Sequence, residues 1–155
     1  MVGRCSRESW DEAAGVAAQA RAISDRAVRL ARKDEKAWAD ALTALREAEA
    51  GAESDARRDF QLEQKLERAA SVPLEIAALG ADTATLAAAA AERCDGAYRA
   101  DAAAASALAA GAAHAAAHLV GVNLSIRADD PRLARALSSE QVANDAAARI
   151  LKSGR

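Results

Sequence analysis

Large side chains are scarce in this chain. Aromatic residues make up only 3% of its 155 residues, although hydrophobic residues make up 52%, so the apolar content is mostly alanine. Proline occurs twice and glycine eight times, so few positions interrupt a helix. Alanine is the strongest helix former and is depleted in strands. These absences predict an all-α fold whose thin side chains allow close helix packing.

Long apolar runs and cysteine patterns are also missing. The alanine runs at 87–91 and 102–105 fall short of the roughly 20 apolar residues of a membrane span, so we predict no membrane association. No apolar segment of the secretory type is visible near the N-terminus. The two cysteines, Cys5 and Cys94, belong to no CxxC pattern. We therefore expect one cytoplasmic domain, 1–155, with two reduced thiols.

Charge and motifs limit the classes of ligand. The formal net charge is −2, and the 21 basic and 23 acidic residues are interspersed, which disfavours nucleic acid as a partner and is compatible with an anionic small molecule. No glycine-rich phosphate loop stands out. His114 and His118 have a spacing that can chelate a metal, but no Glu, Cys or third His accompanies them in sequence. We expect no metal.

Apolar periodicity and breakers predict a bundle of about five helices, the first of them long. Ser9 can cap this first helix, and Gly51 ends it. Pro73 disfavours helical dihedrals at Val72, so we expect a kink or a new helix there. The predicted helices span about 9–50, 54–70, 73–93, 99–120 and 131–151.

One carboxylate interrupts the apolar stripe of the first helix. The stripe advances in steps of four and three residues, as a packing seam does. Its members are Val16, Ala20, Ile23, Ala27, Leu30, Asp34, Ala37, Ala41 and Ala44. Burial disfavours the charged form of a carboxylate, so Asp34 must be paired, hydrogen-bonded or easily protonated. Three interpretations stay open: the packing seam opens at Asp34, Asp34 forms a structural ion pair with Arg32, Lys33 or a distant arginine, or it exchanges protons near neutral pH.

Charged residues also open two later helices. Arg99 and Asp101 begin the fourth predicted helix, where Asp101 either caps first-turn amides or contributes to a ligand site. Arg57 and Arg58 form a basic pair early in the second helix. This pair is either solvated or binds an anion.

Several short segments, in their order and spacing, resemble a known family. They are 30–38, with an aromatic residue four positions after Asp34; Arg57-Arg58; Ser71-Val72-Pro73-Leu74; Arg99-Ala100-Asp101; and Val122-Asn123-Leu124. The last three are similar to Val-Pro-Leu, Arg-Ser-Asp and Ile-Asn-Leu motifs. The family is the cyclodeaminase domain of formiminotransferase-cyclodeaminase, with the bacterial methenyltetrahydrofolate cyclohydrolases.

The resemblance implies an all-helical homodimer that acts on the one-carbon unit of a reduced folate, without metal or organic cofactor. The two reactions are ring closure of formimino-tetrahydrofolate with loss of ammonia, and interconversion of methenyl- and formyl-tetrahydrofolate. Both need proton transfer beside an electrophilic carbon. By the resemblance Asp34 performs that transfer, and Arg99, Asp101 and Asn123 are expected to bind the substrate.

The chain also departs from the family pattern. The family usually begins with a glycine-rich segment and an apolar helix, and this chain has neither, although Met1-Val2 resembles the end of that helix. Residues 4–10 replace a lysine-rich stretch, and Ala100 replaces the serine of Arg-Ser-Asp. These departures favour an alternative function, a non-catalytic helical paralogue that binds folate or a partner protein.

Overall fold

Four long helices make up the described part of the chain. The computed structural model describes residues 10–50, 56–94, 96–124 and 129–152. Its helices are α1 (Ala13–Ala50), α2 (Ala56–Arg93), α3 (Gly96–Asn123) and α4 (Pro131–Lys152), and the described residues form no strand. The all-α prediction is confirmed, as the strong helix propensity of alanine requires.

The helix α2 is the centre of the bundle, because it packs against each of the other three. Helix α1 runs antiparallel to α2, so that Glu12 near its start pairs with Arg93 at the end of α2. Helix α4 runs parallel to α2, and Arg149 near its end pairs with Glu92. Helices α3 and α4 also pack on each other, whereas α1 packs mainly on α2.

The largest core cluster is built almost entirely from alanine side chains of α2, α3 and α4, with Ile150 as its largest member. Such small side chains let the helix backbones approach closely. At Gly80 a Cβ atom would lie 2.9 Å from the Cβ of Ala113 and 3.0 Å from the carbonyl oxygen of Ala109. The fully buried Ser106 donates its hydroxyl to the carbonyl of Ala84 at 2.9 Å. In this core, the close approach of helix backbones takes the place of large side chains.

The predicted start of a new helix at Pro73 is wrong, and with it the count of five helices, whereas the predicted kink stays a prediction. Helix α2 continues through Pro73, joining the second and third predicted helices. Proline lacks the N–H that would bond the carbonyl four residues earlier, and here a side chain of α3 supplies that bond, as described below. The predicted cap Ser9 and the terminator Gly51 lie outside the described residues.

The apolar stripe of α1 faces α2, as predicted. Leu30, Ala41 and Ala44 are buried, and Leu30 packs against Val72 and Leu79 of α2. The other members are half-buried, apart from the exposed Ala27. Because α1 rests mainly on one neighbour, only part of the stripe is fully buried.

Helices α2 and α3 are also long and apolar enough to cross a membrane, judged by length and composition alone. Core helices of water-soluble proteins have the same properties, and α2 occupies a core position among three helices. The expectation that the chain spans no membrane stays a prediction.

The close approach of α2 and α3 predicts that Gly80→Ala destabilises the fold by about 1–3 kcal/mol. The added Cβ would meet Ala113, which outweighs the gain of about 1 kcal/mol that alanine brings over glycine inside a helix. Urea and thermal unfolding measure the change.

Gly111→Ala is the matched control, because Gly111 lies exposed in α3 with nothing within 4 Å of its added Cβ. This variant should stabilise the fold by about 0.5–1 kcal/mol. Equal effects at the two glycines would contradict the close packing of α2 on α3.

Candidate functional site

The segment Ser71–Leu74 lies where the other helices converge on α2. Val72 is buried on the α1 side beside Leu30. Leu74 packs on the opposite side, against the cluster that contains Val120 of α3 and Ala136 of α4. The motif that is similar to Val-Pro-Leu therefore joins the helix that carries Asp34 to the helix that carries Asn123.

Asn123 completes the backbone hydrogen bonding that Pro73 leaves open. In an α-helix the N–H of each residue donates to the carbonyl four residues earlier, and proline has no N–H. The carbonyl of Ala69 therefore has no helical donor, although Ala69 is buried. The side-chain Nδ2 of Asn123 donates to this carbonyl at 3.0 Å. This bond fixes the end of α3 against the proline turn of α2.

Asp34 is half-buried at the edge of the α1–α2 interface. Its stripe neighbours Leu30 and Ala37 belong to the cluster that contains Val72 of α2. Lys33, one of its expected partners, pairs with Glu75 instead. Within the described residues, the side chain of Asp34 forms no hydrogen bond or ion pair. The carboxylate is thus accessible to an incoming polar group.

Asp34 and Asn123 lie near the same turns of α2 but on opposite faces of it, and the start of α3 is remote from both. Arg99 and Asn123 are 24 residues apart in one helix, which corresponds to about 36 Å. Arg99 is half-buried, and Asp101 is exposed in the second turn of α3, so it does not cap the first-turn amides. A single subunit therefore does not bring Arg99 or Asp101 into one small pocket with Asn123.

A pocket of about 320 Å³ lies beside Asn123, between α2, α3 and the start of α4. This volume falls within the range of small-molecule sites. Its apolar lining residues are Leu62, Leu66 and Leu124, and its polar ones are Asp59, Glu63, Glu67, Asn123 and Arg132. Leucines with three carboxylates suit a flat apolar body that carries hydrogen-bond donors.

Sequence reasoning missed Arg132 as a lining residue of this pocket. Its Nε and Nη2 donate to the carboxylate of Asp130 at 2.9 and 2.6 Å, and Glu67 lies 3.7 Å from Nη2. The hydrogen bond to Asp130 raises the pKa of Arg132, and burial opposes that shift. The same carboxylate accepts the backbone N–H of Arg132, an N-terminal cap that Asp130-Pro131 signals in the sequence. Only the fold shows that Arg132 lines the pocket.

The remaining sequence candidates lie elsewhere. His114 of α3 contacts Glu140 of α4, with Nδ1 and Oε1 2.6 Å apart. Among the described residues, no group of three or more His, Cys, Asp or Glu side chains is placed to hold a metal ion. Arg57 and Arg58 lie in the first turn of α2.

A comparison with protein families agrees with the sequence resemblance. The family model described as formiminotransferase-cyclodeaminase matches residues 1–142, a range that contains every segment quoted for the resemblance. No curated protein and no solved structure matches the chain. The predicted family is confirmed.

The bond between Asn123 and Ala69 predicts that Asn123→Ala destabilises the fold by about 1–3 kcal/mol, because a buried carbonyl loses its donor. Urea unfolding measures the loss. The control is the same substitution in a Pro73→Ala background, where the restored N–H of residue 73 can bond Ala69.

In that background Asn123→Ala should cost less than about 0.5 kcal/mol, so the two substitutions are strongly non-additive. Equal costs of Asn123→Ala in both backgrounds would show that Asn123 does not replace the donor that proline lacks.

Proposed function

Because the chain belongs to the formiminotransferase-cyclodeaminase family, we propose that it is an enzyme of folate one-carbon metabolism. It either cyclises formimino-tetrahydrofolate with release of ammonia or interconverts methenyl- and formyl-tetrahydrofolate. The structural observation that carries this proposal is Asp34, a half-buried carboxylate on the packing stripe of α1 without a polar partner among the described residues. We assign no metal or organic cofactor to the reaction.

Asp34 acts as the general acid and base in this proposal. As base, it removes a proton from the attacking nitrogen or water; as acid, it returns that proton to the departing nitrogen or oxygen. Leu30 and Ala37 pack on α2 beside Asp34 and exclude water from one side of the carboxylate. The half-exposed side of the carboxylate leaves room for the one-carbon unit of the folate.

Asn123 and the neighbouring pocket are proposed to hold the body of the folate. The pocket lies near Ala69 on the opposite face of α2 from Val72 and Asp34, so within one subunit α2 separates the pocket from the carboxylate. The hydrogen bond of Asn123 to Ala69 engages its side-chain nitrogen and leaves its side-chain oxygen as an acceptor for the substrate.

Arg99 and Asp101 are proposed to reach the substrate from the second subunit of a homodimer, because about 36 Å of α3 separates Arg99 from Asn123 in one chain. Large apolar side chains are available for such an interface. Leu108 is 77% exposed and Trp38 48% exposed, which is unusual for side chains of this size.

The alternative is a paralogue that binds folate without turning it over. Ala100 supports this alternative, because the family has a serine there and its hydroxyl is absent from the Arg99-Ala100-Asp101 segment. Binding without turnover would appear as stabilisation by tetrahydrofolate and no acceleration of the reaction.

We predict that the purified chain accelerates the loss of methenyl-tetrahydrofolate, followed spectrophotometrically, over the spontaneous rate. Asp34→Asn should lower the catalysed rate by about 10²–10⁴-fold, because it removes the general acid and base. Circular dichroism should show unchanged helicity. Asp25→Asn makes the same chemical change at an exposed position of α1 and should retain the rate. Full activity of Asp34→Asn would refute the role of Asp34.

A site shared between subunits predicts complementation. Asp34→Asn and Arg99→Ala subunits should each be inactive alone. After equimolar mixing and exchange, about a quarter of the native activity should return, because each mixed dimer contains one site with both native residues. Two Asp34→Asn preparations mixed in the same way are the control. A dimer that shows no recovery would place Arg99 outside the shared site.

A further inference from the structure

Lysine is rare in this chain and concentrated in one place. The sequence contains four lysines against 17 arginines. Three of the four lysines line a groove of about 230 Å³ between α1 and α2, which we call the lysine groove. Its lining residues are Lys33, Lys36, Ala37, Asp40, Lys65, Arg68, Ser71 and Val72.

The lysine groove carries a strong local excess of positive charge. Its lining residues include four cations and one carboxylate, that of Asp40, whereas the whole chain has a formal net charge of −2. Lys33 pairs with Glu75 at the edge of the groove. The side chains of Lys36, Lys65 and Arg68 form no ion pair within the described residues. Cations of α1 and α2 therefore face each other with little compensation.

We propose that the lysine groove binds a small ligand with two or more phosphate or carboxylate groups. The cations come from both helices, so a ligand with two anionic groups can bridge Lys36 of α1 to Lys65 and Arg68 of α2. Lysine ammonium groups are mobile point charges that each donate up to three hydrogen bonds to anionic oxygens. The hydroxyl of Ser71 already donates to the carbonyl of Arg68, so recognition rests on charge.

This site is separate from Asp34. With 100° per residue, Lys33, Lys36 and Asp40 project about 60–120° to one side of Leu30, whereas Asp34 lies within the apolar stripe, about 40° to the other side. The lining of the groove contains neither Asp34 nor Asn123. The inference therefore holds whether or not the chain turns over folate.

A bound polyanion should stabilise the packing of α1 on α2. Helix α1 packs mainly on α2, and the uncompensated cations repel each other across their interface. A ligand that binds only the folded state raises the unfolding temperature by mass action.

The test is thermal unfolding of the full chain with millimolar pyrophosphate or tricarballylate, at an ionic strength matched with NaCl. We expect one or both anions to raise the unfolding temperature by several degrees above the NaCl reference. Lys36→Gln with Lys65→Gln should abolish this shift without lowering the basal unfolding temperature, because the substitutions also remove repulsion.

Three controls separate binding from a general charge effect. Lys152→Gln alters the fourth lysine, on α4 outside the groove, and should keep the shift. Lys36→Arg with Lys65→Arg retains the charge and should keep it as well. Asp34→Asn should also keep it, which distinguishes this site from the folate proposal.

A response to pyrophosphate alone identifies a phosphate ligand, and a response to tricarballylate alone identifies a polycarboxylate. In the native chain, amide chemical-shift changes confined to 33–40 and 65–72 should accompany either response, independently of any variant. The proposal is overturned by the absence of a shift with both anions, by a shift that survives in Lys36→Gln with Lys65→Gln, or by amide changes elsewhere.

Discussion

The hydrogen bond from the side chain of Asn123 to the carbonyl of Ala69 is the contact on which the arrangement of the helices depends. It replaces the donor that Pro73 lacks, so that α2 continues as one helix through the centre of the bundle. In a continuous α2, Val72 packs against α1 and Leu74, two residues later, packs against α3 and α4. Two motifs far apart in sequence thus form one structural unit.

The alanine core determines which helices pack closely, and therefore how far Asp34 on α1 is exposed. Small side chains allow α2, α3 and α4 to pack closely around Gly80 and Ser106. Helix α1 lacks a second major neighbour, so its stripe is only partly buried. Asp34 consequently lies between apolar packing and solvent, where a carboxylate can meet a substrate. The lysine groove lies to the other side of Leu30 from Asp34.

Features that depend on residue composition and on spacing within one helix were predictable from the sequence. Alanine content predicted the helices, and periodicity predicted the stripe that contains Asp34. The continuity of α2 was not predictable locally, because the donor for Ala69 comes from Asn123, 54 residues away. Two other features depend on how the helices align with each other. Arg132 lines the pocket, and Lys36 of α1 lines the same groove as Lys65 of α2. Family resemblance identified Asn123 as important, and the structure adds a physical reason through Pro73.

Nuclear magnetic resonance of the Asn123 side-chain amide tests this account most directly. The chain has only two asparagines, and Asn144 is exposed on α4, so it serves as an internal reference. The account predicts that one Asn123 amide proton exchanges slowly and shows scalar coupling across the hydrogen bond to the Ala69 carbonyl carbon. Rapid exchange of both Asn123 amide protons, as at Asn144, with no such coupling, would contradict it.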